Sequence, residues 1–130
     1  MEIGDFAFVV ETGKSFDQAV VSVLKAVEQK NWALFGVYDM RERLAAKGFE
    51  QRPLKVIEIC SGKHASKFLE KNRLVSLCMP CKVNVIEQEG GKVKIAVMKP
   101  TAISLFFPEV GKEEAEQAEK DLMEIVESAR

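Results

Sequence analysis

The stretch CKVNVIEQEGGKVKIAVM, from Cys81 to Met98, decides the fold. Apolar residues alternate with polar ones on both sides of its Gly90–Gly91 pair. The alternating residues are Val83, Val85, Val93, Ile95 and Val97. Alternation with a period of two is typical of a strand with one buried face, and a glycine pair between two such runs favours a tight turn. The stretch therefore predicts a hairpin of two antiparallel strands.

Three further strands are predicted upstream of this hairpin by runs of β-branched and aromatic residues. They run from Asp5 to Glu11, from Trp32 to Asp39 and from Leu54 to Cys60. The second run, WALFGVYD, is apolar nearly throughout. Because a strand that is buried on both faces has this continuous apolar pattern, we expect it at the centre of the sheet.

Four helices are predicted between and after the strands. The first begins at Ser15. The other three run from Asp39 to Gly48, from Gly62 to Lys71 and from Lys112 to Ser128. The first has the residues of a capping box, because Gln18 stands three positions after Ser15. The last two are amphipathic. The segment PTAISLFFPE, from Pro100 to Glu109, fits either a short helix or an edge strand.

This order of elements, with an antiparallel hairpin inside it, indicates an α/β (α+β) two-layer sandwich rather than a doubly wound parallel sheet. The sheet is expected to be mixed or mainly antiparallel, with helices on one face. No linker, repeat or low-complexity tract interrupts the chain, so residues 1–130 are expected to form a single domain. The open face of the sheet then needs a cover, and a homodimer formed sheet to sheet would supply it.

Composition narrows the classes of function. The chain has 19 basic and 20 acidic residues and a formal net charge of −1, which argues against nucleic acid or an anionic membrane as a partner. No apolar stretch is long enough to span a bilayer, and the start MEIGDFAF has no basic n-region. An odd number of cysteines fits a reducing compartment. We therefore expect a cytoplasmic protein.

All three cysteines and the only histidine lie between Cys60 and Cys81. Cys60, His64, Cys78 and Cys81 follow the pattern C-x3-H…C-x2-C. This is a ligand set of the kind that holds tetrahedral zinc. Cysteine thiolates also select copper(I) and iron–sulfur clusters, so the pattern leaves the metal open. The alternative is that the cysteines are ordinary core residues and that His64 lies on the surface of its helix.

Two thiol chemistries are also open. The proline in CMPC is reminiscent of a thioredoxin loop, but a strand rather than a helix follows Cys81, so nothing there would lower a thiol pKa. Cys60 instead ends a strand just before a helix, where backbone N–H groups and Lys63 would stabilise a thiolate and His64 would act as its base. A small thiol-dependent enzyme or redox protein using Cys60 is one alternative to a binding site. An interaction domain with structural cysteines is another.

Most of the chain resembles the bacterial and archaeal domain-of-unknown-function family number 302. The likeness rests on the strand ending in Cys60, on KHASKFLEKNRLVSL, on MPCKVNVIE and on GGKVKIAVMKP. The family's cysteine at a strand end, its Pro-Cys, its aspartate and its later proline match Cys60, Pro80-Cys81, Asp39 and Pro100. The resemblance implies a small, dimeric α/β sandwich of the TATA-binding-protein-like type. It implies no particular chemistry.

This chain departs from the family pattern at two places. Ser61-Gly62 follows the first cysteine where the family usually has Asn-Pro, and His64 and Cys78 are additional to the pattern. The resemblance therefore implies that Cys60 and Cys81 are the pair that forms the candidate site. Two such thiols could bind a small ligand or a soft metal ion such as zinc or copper, form a reversible disulfide, or pack together in the reduced form.

Overall fold

The computed structural model describes residues 6–130. Within them, the strands are β1 (Ala7–Thr12), β2 (Ala33–Asp39), β3 (Leu54–Cys60), β4 (Cys81–Glu87) and β5 (Val93–Met98). These five strands form one antiparallel sheet in the order β1-β5-β4-β3-β2. The first predicted strand began at Asp5, which lies outside the described residues. The hairpin of β4 and β5 is confirmed.

The helices are α1 (Phe16–Gln29), α2 (Met40–Ala45), α3 (Gly62–Lys71), α4 (Ile103–Phe106) and α5 (Lys112–Ala129). Short 3₁₀ helices cover Arg73–Cys78, Glu89–Gly91 and Pro100–Ala102. The segment that fitted either a helix or a strand is therefore helical through residue 106. The last helix continues one residue beyond the predicted Ser128.

Local hydrogen bonds explain where these elements begin and turn. The amide of Gln18 donates to Ser15 Oγ and the amide of Ser15 donates to Gln18 Oε1, both at 3.2 Å, so the predicted capping box is confirmed. The amide of Glu42 donates to Asp39 Oδ1 at 3.0 Å, which caps α2. At the hairpin turn, Gly90 has a φ of +85°, a conformation that favours glycine.

Helices α1 and α5 pack together on one face of the sheet. The core between these layers consists mainly of aliphatic side chains that are fully or almost fully buried. Those buried most completely include Val23, Ile57, Ile59, Val83, Val85, Ile95, Leu122 and Ile125. The two-layer sandwich with a mainly antiparallel sheet is therefore confirmed, and the sheet is wholly antiparallel among the described residues.

The expected position of the WALFGVYD strand is wrong. β2 lies at an edge of the sheet, where among the described strands it pairs only with β3. Leu34 is 51% exposed and Phe35 is 62% exposed, although both are strongly apolar. A register shift between Leu34 and Gly36 interrupts the pairing. Apolar composition predicted burial here, but the order of strands in a sheet does not follow from local composition.

A second, smaller core lies at the end of the sheet where β3 finishes and β4 begins. Its buried residues are Phe68, Val75, Ile103, Val110 and Ala118, with Cys78, Met79 and Phe107 packed against them. We call residues 60–81 and 100–110 the cysteine lobe. This lobe contains all three cysteines and the histidine, so it is where the predicted site residues meet.

Candidate functional site

Cys60 and Cys81 lie at the same end of the sheet on neighbouring strands. Cys60 is the last residue of β3 and Cys81 is the first residue of β4. The antiparallel register pairs Ile59 directly with Cys81, so Cys60 lies one residue beyond the partner of Cys81 at this end of the sheet. Cys78 ends the 3₁₀ helix that leads to β4, and all three thiols are free and partly buried.

A small cavity of about 20 Å³ connects these residues. Cys60, Cys78, Cys81 and His64 all line it, together with apolar side chains that include Trp32, Phe68 and Ile103. A space of this size holds a single water-sized occupant. It can therefore accommodate one ion and excludes an organic molecule of several atoms.

Burial raises the pKa of both strand-end thiols. The pKa of Cys60 lies above its ordinary value of 9.0 because burial disfavours the charged thiolate. The pKa of Cys81 is raised to about 11, mainly by burial and further by the charge of Cys60, while Lys82 opposes the change. Both thiols are therefore protonated at neutral pH, and the start of α3 does not offset the burial of Cys60 as the nucleophile hypothesis requires.

His64 is buried, with 6% of its surface exposed, so the alternative that placed it on the surface of its helix is wrong. Its backbone N–H donates to Ser61 Oγ in the first turn of α3. Its ring lies 5.9 Å from the Trp32 ring, centroid to centroid. Its Nε2 lies 2.9 Å from Asp121 Oδ2, and Nδ1 is buried with no hydrogen-bond partner among the described residues.

Sequence reasoning missed Asp121, which fixes the orientation of His64. Burial alone would raise the pKa of Asp121, but the hydrogen bond from His64 and the charge of Lys30 hold it below its ordinary value. The carboxylate is therefore ionised and accepts a hydrogen bond from Nε2–H of His64. In the neutral imidazole this leaves Nδ1 as the acceptor nitrogen. One signal was available, because Asp121 stands among Ala118, Leu122 and Ile125 in the stretch of α5 that supplies its buried side chains.

The four predicted ligands do not assemble into a closed metal site. Across residues 6–130, no group of three or more histidine, cysteine, aspartate and glutamate side chains is placed to hold a metal ion. His64 is committed to Asp121 through Nε2. The arrangement that remains is a pair of neighbouring thiols, Cys60 and Cys81, with Cys78 in the wall of the same cavity.

A more open groove of about 240 Å³ lies outside the cavity. It is lined by Leu77, Met98, Pro100, Lys82 and Lys99, and it shares four residues with the cavity. The shared residues are Cys78, Pro80, Cys81 and Ile103. Two of the thiols therefore lie in the wall between the groove and the cavity.

A larger concavity, of about 760 Å³, lies at the opposite end of β3 and β4, next to Leu54 and Glu87. It is open and lined by side chains of both charges, including Arg41, Glu50 and Arg52. It has none of the cysteines and no buried unpaired polar atom in its wall. We therefore place the candidate site at the cysteine end of the sheet.

Comparison with known proteins agrees with this fold. The family model described as "Domain of unknown function DUF302" matches residues 8–129. One matching solved structure is the crystal structure of an uncharacterized conserved DUF302 protein from Bacillus stearothermophilus. It has 27% identity and a TM-score of 0.88, and the match covers 98% of this chain and all of the other. No curated protein matches. Among the described residues, no helix has the length and apolar character needed to cross a membrane.

Proposed function

We propose that this chain, which belongs to the DUF302 family, binds one copper(I) ion between the thiols of Cys60 and Cys81. The observation that carries the proposal is the cavity of about 20 Å³ in which all three free cysteines meet. Thiolate sulfur is a soft ligand that suits copper(I), zinc and iron–sulfur clusters. Two thiols on adjacent strand ends match the low coordination number that copper(I) accepts.

The donor set favours copper(I) over zinc. Structural zinc requires four ligands in a tetrahedral arrangement, and catalytic zinc usually keeps three protein ligands. No group of three suitable donors is present in the described part of the chain. A small organic ligand is disfavoured for a different reason, because the cavity has room for about one atom.

The buried histidine supports an occupant in this cavity. His64 lines the cavity, and its Nε2 is bonded to Asp121, which does not line it. Nδ1 is the ring nitrogen that Asp121 does not engage, and it is buried with no hydrogen-bond partner among the described residues. Buried polar atoms are almost always paired, so an unpaired one beside a cavity indicates that something polar or charged belongs there.

The thiol-dependent enzyme is the weaker alternative. A catalytic cysteine needs a thiolate near neutral pH, whereas burial raises the pKa of Cys60 and of Cys81. A metal ion displaces the thiol proton itself, so a raised pKa is compatible with metal binding. Reduced thiols are required for either chemistry, which supports a reducing, cytoplasmic location.

The proposal is tested by metal loading under reducing conditions. Protein is incubated anaerobically with copper(I) or with zinc, desalted, and its metal content measured per chain. We expect one copper ion per chain in the wild type and in Cys78→Ser, and none in Cys60→Ser or Cys81→Ser. We expect zinc to be lost on desalting. Copper retained by the Cys60→Ser, Cys81→Ser double variant, or no copper retained by the wild type, would refute the proposal.

We also propose that the protein is a homodimer that packs the open faces of two sheets together. The face opposite α1 and α5 carries Val56, Asn84 and Ala96 side by side, as the strand register requires. A sheet face outside the layer of α1 and α5, with small or apolar side chains at its centre, is a natural surface for self-association. Light scattering coupled to size exclusion should give the mass of two chains, and Ala96→Arg should give one. A monomeric wild type would refute the homodimer.

A further inference from the structure

We propose that the groove outside the cysteine cavity is the port through which the metal ion enters, and that the Met98 thioether is its first ligand. This inference rests on the proposed copper(I) site. It assigns a role to a residue that neither the sequence pattern nor the thiol pair includes.

The sulfur-containing side chains lie at different depths, from the groove at the surface to the cavity inside. Met98 lines only the groove and is 46% exposed. Cys78 and Cys81 line both the groove and the cavity, and Cys60 lines only the cavity. An ion that enters through the groove therefore meets a thioether first, then the two shared thiols, and last the thiol of Cys60.

The chemistry of each sulfur fits this order. A thioether binds copper(I) without losing a proton, whereas a thiol gives up its proton when it binds the ion. Met98 can therefore hold the ion at the groove until the cysteine thiols replace it as ligands. In the exchange two sulfur–copper bonds form, the Met98–copper bond breaks, and two protons pass to water. Copper remains in the +1 state throughout.

The test is the rate of copper(I) transfer from the anionic bathocuproine disulfonate complex, followed by the loss of its visible absorbance. Met98→Leu removes the sulfur but keeps the side-chain volume, so the fold is preserved. Met98→Cys keeps a soft donor. Met40→Leu is the matched control, because Met40 follows β2 at the end of the sheet opposite Cys60.

We expect Met98→Leu to slow transfer by about tenfold, a typical effect of losing a group that supports a metal site. The copper content at equilibrium should remain one ion per chain. Met98→Cys should restore the rate, and Met40→Leu should leave it unchanged. Equal rates for Met98→Leu and the wild type, or equal slowing by Met40→Leu, would refute the proposal that copper enters through the groove with Met98 as its first ligand. Failure of the wild type to bind copper would instead refute the proposed function, so the two failures are distinguishable.

Discussion

The core between the sheet and helices α1 and α5 is filled mainly with aliphatic side chains, and Cys81, at the border of the cysteine lobe, packs against it. The cysteine lobe combines apolar side chains with the other two thiols and a buried histidine. In this lobe, Nδ1 of His64 has no hydrogen-bond partner among the described residues, and large side chains on the surface, including Leu77 and Leu105, are exposed. Under the proposed function, the main core provides stability and the cysteine lobe gives up some packing quality for the site.

Leu122→Ala should have the largest effect on stability, because Leu122 is fully buried between α5 and the sheet. Removing such a side chain lowers the free energy of unfolding by about 3 kcal/mol. Urea denaturation followed by circular dichroism measures this change. If the copper content of the folded Leu122→Ala protein also falls to zero, the division of roles between the two cores is wrong.

The thiols of Cys60 and Cys81 should be unusually slow to alkylate, because burial raises the pKa of both. Because burial raises the pKa of Cys81 from 9.0 to about 11, its thiolate fraction at pH 7 is lower by about a hundredfold. Iodoacetamide labelling, followed by peptide mass spectrometry, should show Cys81 reacting slowly at pH 7 and faster as the pH rises above 9. Rapid labelling of Cys60 or Cys81 at pH 7 would favour the thiol enzyme instead.

Asp121→Ala should cost about 2 kcal/mol of stability, because it removes the partner of the buried His64. Glu124→Ala is the control from the same helix, since Glu124 pairs with Lys30 at the surface and should cost less than about 1 kcal/mol. Comparison of the two melting curves at neutral pH isolates the buried contact. Equal costs would show that His64 does not depend on Asp121.

The contribution of Asp121 should also depend on pH. Its pKa in the folded protein lies below the ordinary value of 3.8, so the folded state binds fewer protons than the unfolded state in this range. The stabilisation by this carboxylate is therefore complete at pH values above the ordinary pKa and is lost as the pH falls through the folded pKa. The difference in stability between wild type and Asp121→Ala should shrink in acid, as measured by urea denaturation from pH 7 to pH 3.

Phe35→Ala should have the smallest effect, because the side chain is mostly exposed on the edge strand β2. Substitutions at such surface positions change stability by about 0.5 kcal/mol. A loss as large as that of Leu122→Ala would mean that β2 is covered, as its composition suggested.

The sequence predicted well those parts of the fold that depend on neighbouring residues. The capping residue Ser15, the strand Leu54–Cys60 and the helix Gly62–Lys71 all follow from local patterns, and the structure has them at those positions. The edge position of β2 and the pairing of His64 with Asp121 were missed. Both depend on contacts between distant segments, and His64 and Asp121 are 57 residues apart.

The candidate site residues could be located from local patterns, whereas the cavity around them depends on contacts between distant segments. The strand pattern predicted Cys60 at the end of one strand and Cys78 and Cys81 at the entry to another, and the family resemblance singled out Cys60 and Cys81. The cavity between them, and the groove that leads to it, depend on how α3, α4 and the 3₁₀ helix before β4 pack together. A one-dimensional pattern of ligands suggested four donors around one ion, whereas the fold turns one ring nitrogen of His64 toward a carboxylate of α5.

The central claim is that two thiols of the cysteine lobe hold one soft ion, and X-ray absorption at the copper edge tests it most directly. Spectra are compared for the wild type, Cys78→Ser and Cys60→Ser, each measured in the presence of one equivalent of copper(I). We predict a copper ion coordinated by two sulfur atoms in the wild type and in Cys78→Ser, and loss of that signal in Cys60→Ser. Coordination by nitrogen and oxygen alone, or an identical sulfur signal in Cys60→Ser, would contradict the claim.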